Sequence, residues 1–282
     1  MNRVLFILIF SLTTFISCRQ SPENETKIIN KNDSINFNAD ENKLLNNIKL
    51  FPDSLLLKEN LIQYYRDISN DSSALKATND FIENDSLNSR LWHIKAILFI
   101  ENDDTSNAIN CFEKAIDILP SSSDIVYLGI IYAYKKNIKA ITLSNNLIEL
   151  FKDEYLKESF FIKGLYYSNT NNKTEAISFF DRSISESYTF MEAYREKAMA
   201  LYDLKKFNEA IVVLTKATTI KNKYDEGYYY LGKCYEKINN PTMAADSYRR
   251  ALLYNHENEE AAEALSVVIR VDSGNNSKVN SE

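Results

Sequence analysis

Five Gly and four Pro in 282 residues are too few for a fold built on glycine-rich loops. With 45% hydrophobic and 26% charged residues they describe a helix-rich chain. Charge of one sign is also missing. The 33 basic residues face 39 acidic ones, a net of −6, so no basic surplus exists to release counterions from a phosphate backbone, and nucleic acid is excluded as the expected partner. Two His and three Cys leave little for metal chemistry, and His93 and His256 stand too far apart in the chain to serve one site easily. No glycine-rich phosphate loop, Gly-x-Ser-x-Gly, His-Glu-x-x-His or Cys-x-x-Cys occurs. The expectation is a protein without catalytic residues, cofactor or metal, with Cys111 and Cys234 as small core hydrophobes.

What is present begins at the amino terminus. Arg3 precedes an uncharged run from Val4 to Ile16, broken only by Ser11, Thr13 and Thr14. That run is too short to span a bilayer and fits the apolar region of a signal peptide. Phe15-Ile16-Ser17-Cys18 then sets a small residue immediately before a cysteine, which resembles the lipobox of bacterial lipoproteins, with Phe15 where Leu is usual. The resemblance implies removal of residues 1–17 as a lipoprotein signal peptide and lipidation of Cys18. Each buried methylene is worth about 0.8 kcal/mol, and more than one acyl chain makes the attachment stable. Arg19, in place of the Asp that the family reads in some bacteria as an inner-membrane signal, points to the outer membrane. The expected location is therefore the bacterial cell envelope, on the periplasmic or surface face of that membrane. Residues 18–38 are Asn-, Ser-, Lys- and Glu-rich and read as a flexible tether of about 25 Å. Residues 271–282 read as a disordered tail.

Between these ends the sequence repeats. Ala74, Ala108, Ala176, Ala210 and Ala244 lie at multiples of 34 residues, with Thr142 at the missing place and Ala140 two before it. Ala96, Gly164, Ala198 and Gly232 form a second series on the same period, with Gly129 one residue out of frame. Small residues allow two helices to cross closely, and aromatics three and four positions away fill the space beside them. Asn102-Asp103-Asp104-Thr105, Asn169 to Asn172 and Asn239-Asn240-Pro241 supply turn chemistry between the helices.

The residues around these anchors resemble the tetratricopeptide repeat, in which an aromatic, a Leu-Gly pair and a Tyr are followed by Ala, an aromatic and a closing Pro. The last unit carries Tyr228, Leu231-Gly232, Tyr235, Ala244, Tyr248 and Ala251, and the second carries Trp92, Ala96, Phe99, Ala108, Phe112, Ala115 and Pro120. The resemblance implies an all-α, right-handed α-solenoid of about six helical hairpins, with repeats at 55–88, 89–121, 122–156, 157–190, 191–224 and 225–258. Capping helices are expected at 40–51 and 259–270, because a stack of hairpins needs polar ends. The whole is expected to form one array over 39–270 and not two domains.

In that family the first helix of each hairpin lines an inner groove. Carried onto this chain, the lining residues are His93, Ile97, Ile100, Val126, Ile130, Phe161, Leu165, Arg195, Met199, Tyr202, Tyr229 and Lys233. An apolar strip leading into a partly basic end suits an amphipathic helix or an extended acidic peptide. The expected function is a membrane-anchored, non-catalytic scaffold that binds a protein or peptide partner. The alternative is an outer-membrane lipoprotein that binds a glycan or small molecule.

Overall fold

The computed structural model describes the backbone of residues 33–279 and the side chains of residues 39–270. The signal peptide, Cys18 and the tether before Asp33 lie outside the described residues. Every described element is helical. Helix α1 (Asp33–Leu50) precedes six hairpins: α2 (Leu55–Asp67) with α3 (Asp71–Asn84), α4 (Ser89–Glu101) with α5 (Thr105–Ile118), and α6 (Ser122–Tyr134) with α7 (Lys139–Phe151). After a 3-10 turn at Lys152–Tyr155 come α8 (Leu156–Asn169) with α9 (Lys173–Glu186), α10 (Met191–Asp203) with α11 (Phe207–Ile220), and α12 (Asp225–Lys237) with α13 (Pro241–Tyr254); α14 (Glu259–Val279) closes the series.

One turn design is used six times inside the hairpins. Ser69, Asp103, Lys136, Asn171, Lys205 and Asn239 all adopt positive φ, between 54° and 67°, in the left-handed region that ends helices. At each, two backbone bonds close the first helix: Asn70 N–H donates to Tyr65 O at 2.8 Å and Ser69 N–H to Arg66 O at 2.9 Å, with the same pattern at the other five turns. The next residue then starts the second helix. Asn70, Asp104, Asn172 and Asn240 each accept a bond from the backbone N–H three residues on, so two residues both stop one helix and cap the other. None of the six left-handed residues is Gly, which is why composition gave no sign of them.

The small residues sit where helices cross. Ala74, Ala108, Ala176, Ala210 and Ala244 are fully buried. A Cβ added to Gly164 would lie 2.5 Å from the Phe180 ring, and one added to Gly232 would lie 2.5 Å from the Tyr248 ring. The third hairpin departs from this scheme. Ala140 is fully buried and Thr142 exposed, so α7 runs two residues ahead of the frame. Ser144 takes the place that Phe112, Phe180 and Tyr248 hold in the second, fourth and sixth hairpins, and its carbonyl accepts a bond from Ser159 Oγ at 2.8 Å. The 3-10 turn restores the register before α8.

Three features differ from the sequence reading. Helix α1 begins at Asp33, inside the stretch read as a tether, where neither Gly nor Pro interrupts the chain between Pro22 and Pro52. Helix α14 continues to Val279, past the expected end at Arg270. The chain also divides into two compact units rather than one, an N-terminal unit ending at Ile131 and a C-terminal unit beginning at Tyr132, a boundary that falls inside α6, the first helix of the hairpin whose register slips. Packing in the N-terminal unit includes a cluster of Ile62, Ala74 and Leu98, and in the C-terminal unit a larger one around Leu214, Leu231, Ala244 and Tyr248.

Candidate functional site

In the N-terminal unit the expected groove positions fall on α4 and α6. Ile100, Val126 and Ile130 are buried, Ile97 is half-buried, and the His93 side chain keeps 14% exposure. His93 is the member with directed polar contacts. Its Nδ1 lies 2.5 Å from Oδ1 of buried Asp124, whose Oδ2 accepts a bond from Ser121 Oγ at 2.6 Å. The carboxylate fixes the ring and leaves Nε2 as the nitrogen available to a partner. Phe112 and Tyr127, stacked with centroids 5.5 Å apart, flank the imidazole. Burial, then the nearby Asp124 charge, push the Tyr127 hydroxyl up to about 12. Ser121 bonds the carboxylate and not the imidazole, so the nucleophile-to-base link of a serine hydrolase is absent from this trio.

In the C-terminal unit Phe161 and Leu165 are core residues. The Phe161 ring packs edge-on to Phe190 at 4.9 Å and against Phe180 at 5.9 Å, because the space at the helix crossing is filled from this side too. Arg195 is 3% exposed. Its guanidinium donates to Glu226 Oε2 at 2.8 Å and to Glu196 Oε1 at 3.2 Å. Burial works against this charge, but Glu196 and Glu226 outweigh it and hold the guanidinium protonated well above its ordinary range. Burial also raises the Glu196 carboxyl, against the pull of Arg195.

Met199, Tyr202 and Lys233 come together in a pocket of about 130 Å³ between α10 and α12, floored by Ala198, Leu214 and Cys234. The fourth expected residue, Tyr229, stands beside it. The Lys233 ammonium lies 5.5 Å from the Tyr229 ring centroid and 5.9 Å from those of Tyr202 and Tyr230. Lys233 has no ion pair with any described residue; Asp203, the acid lining the pocket, is bonded to Lys173 at 2.6 Å, and the charges of Glu236, Glu260 and Glu263 act on the neighbouring Tyr229. The result is an apolar recess with one unanswered positive charge at its rim.

Asp124, Glu226 and Tyr230 escaped the sequence reading. A signal existed for the first two. Glu59 and Arg90, His93 and Asp124, and Arg195 and Glu226 are each paired 31 residues apart, one repeat less three, the spacing that joins the first helices of consecutive hairpins. Elsewhere, Cys111 and Cys234 are buried free thiols whose pKa burial pushes up to about 11 and about 12. Among the described residues no group of three or more His, Cys, Asp or Glu is arranged to hold a metal ion, and no helix is long and apolar enough to cross a membrane.

Comparison with known proteins follows the repeat frame. Models of the tetratricopeptide repeat match residues 89–121, 157–188 and 192–224, and a further one matches 226–271, together just over half of the chain. DnaJ homolog subfamily C member 7 of Mus musculus is 28% identical over 116 residues, which are 40% of this chain and 24% of that protein. The chain thus spans about a quarter of the length of this curated relative. A tetratricopeptide repeat protein from Parabacteroides merdae is similar in fold, with a TM-score of 0.67 at 17% identity over 95% of this chain and 98% of that one. PilW, described as a widely conserved type IV pilus biogenesis factor, is similar at a TM-score of 0.62 and 16% identity, covering 74% of this chain and 97% of its own.

Proposed function

Because the chain belongs to the tetratricopeptide repeat family, we propose that it is a non-catalytic scaffold whose C-terminal unit captures a segment of a partner protein on the first helices of its hairpins. The observation that carries this reading is the recess between α10 and α12. Met199 and Leu214 offer apolar contact to a side chain, and Lys233, held among three tyrosine rings without a counter-ion, offers an electrostatic anchor beside it. The partner segment it fits carries an acidic residue next to an aliphatic or aromatic one. In the N-terminal unit, Nε2 of His93 would add a hydrogen-bonding point.

Selection of a random peptide library against the full chain tests this. Enriched peptides should share an acid-plus-apolar pair, and Lys233→Gln should weaken them about tenfold, the scale of one charge-assisted bond, while helical circular dichroism is kept. Absence of enrichment, or the same motif at the same affinity with Lys233→Gln, would reject the recess as the binding site.

The membrane-anchored form of this proposal rests on Phe15-Ile16-Ser17-Cys18. On this reading the scaffold is tethered by lipid on Cys18 in the bacterial cell envelope, at the outer membrane. Expression of the full chain with its leader should place it in the membrane fraction, and Cys18→Ser should release it. Equal membrane retention of the variant would refute lipid anchoring.

A further inference from the structure

The fourth hairpin carries two cations that no carboxylate answers. Lys163 on α8 and Arg182 on α9 share the Phe179 ring, the ammonium 5.8 Å and the guanidinium 5.5 Å from its centroid. Arg182 also lies 3.9 Å over Phe160, and Tyr167 stacks on Phe179 with centroids 5.4 Å apart and planes within 1°. Neither cation has a hydrogen bond or ion pair with any described residue. Of the acids on these two helices, Asp181 is bonded to Lys197 at 2.6 Å and Glu158 to Lys157 at 2.9 Å, while Glu186, four residues after Arg182, is exposed and pairs with neither cation. Burial lowers the Lys163 pKa, and the neighbouring Arg182 lowers it further.

Phe160, Lys163 and Tyr167 occupy one face of α8 by their spacing of three and four residues. At about 100° per residue, Lys163 lies about 200° around the helix from both Phe161 and Leu165, the positions that the repeat frame assigns to the groove. The cation pair is therefore a feature separate from the recess at Lys233.

We propose that Lys163 and Arg182 form a second docking point, outside the groove, for a glutamate or aspartate side chain of an acidic partner segment. The guanidinium lies over Phe160 with its donors unused, so it can meet a carboxylate with two parallel N–H bonds. Lys163 adds a second donor, and the Phe179 and Tyr167 rings receive the aliphatic stem of the acid. The geometry favours a carboxylate over a phosphate. Both cations sit well inside their helices, where backbone N–H groups are already bonded, so the surface lacks the amide donors that hold a doubly charged anion at a helix start.

The experiment is a titration of the full chain, isotope-labelled at Arg and Lys, with a short acetylated oligoglutamate peptide, read by NMR at the Arg182 and Lys163 side chains. Inorganic phosphate at matched ionic strength is the second arm. Saturable shifts at both residues with the peptide, a loss of affinity of about tenfold in either Arg182→Gln or Lys163→Gln, and no change in Lys114→Gln, at an exposed lysine of the N-terminal unit, are expected. The proposal is overturned if the shifts do not saturate, if phosphate binds as well as the peptide, or if the Arg182→Gln and Lys163→Gln proteins keep full affinity. Because Arg182 is exposed, its variant should fold, and a docking failure here would leave the Lys233 recess untouched.

Discussion

Arg195 holds a charge where burial alone would remove it, and the two glutamates that prevent this depend on it in turn. Removing one partner of such a cluster strands the others. Arg195→Met keeps the volume but leaves Glu196 and Glu226 without their cation, so it should cost about 3–5 kcal/mol in urea unfolding at neutral pH. The pH dependence has a definite sign. Glu196 is raised above its ordinary 4.5 by burial, so its titration favours the folded form below 4.5, and that contribution is lost as pH rises through the raised value. Loss of Arg195 raises it further, so the deficit of Arg195→Met should shrink when unfolding is measured near about pH 5. A deficit equal at both pH values would mean that lost packing, not stranded charge, sets the cost.

The boundaries between hairpins rest on short-range chemistry, whereas the outer ends of α1 and α14 carry no such signal and differ from the sequence reading. Ser54, Asn88 and Asn240 accept bonds from the N–H groups of Leu57, Leu91 and Met243; of these the sequence reading singled out Asn240, ahead of Pro241. Among the left-handed turn residues, Asp103, Asn171 and Asn239 lie in the segments read as turns, while Lys136 and Lys205 look like ordinary surface lysines and adopt positive φ only because the backbone bonds around them close the helix. Of the twelve expected lining positions, four meet at one recess. The repeat frame placed Met199, Tyr202, Tyr229 and Lys233 around one recess, but it also named Phe161, Leu165 and Arg195, which are buried. A repeat position specifies which face of a helix a residue occupies and not what the neighbouring hairpin lays over it. That depends on residues 31 or more positions away, such as Glu226 for Arg195, and no single-unit pattern contains them.

Within each unit, packing runs mainly between consecutive helices, with lesser contact between the first helices of neighbouring hairpins, so stability is a sum of hairpin and neighbour terms and need not be lost all at once. The residue content supplies a way to see this. Trp92, the single Trp, sits on α4 in the N-terminal unit, where its Nε1 donates to Ser86 O at 2.9 Å, and its fluorescence reports on that unit alone. Gly232, on α12 in the C-terminal unit, has no room for a methyl group against Tyr248. Ala would gain about 1 kcal/mol in helix propensity, but the forced displacement of a fully buried ring costs about 1–3 kcal/mol, so Gly232→Ala should destabilise that unit on balance. Urea unfolding followed by ellipticity should then begin at lower denaturant than in the unsubstituted chain, while the Trp92 transition keeps its midpoint. Equal displacement of both transitions would show that the hairpins unfold as one cooperative body, and the division at Ile131 would then carry no energetic meaning.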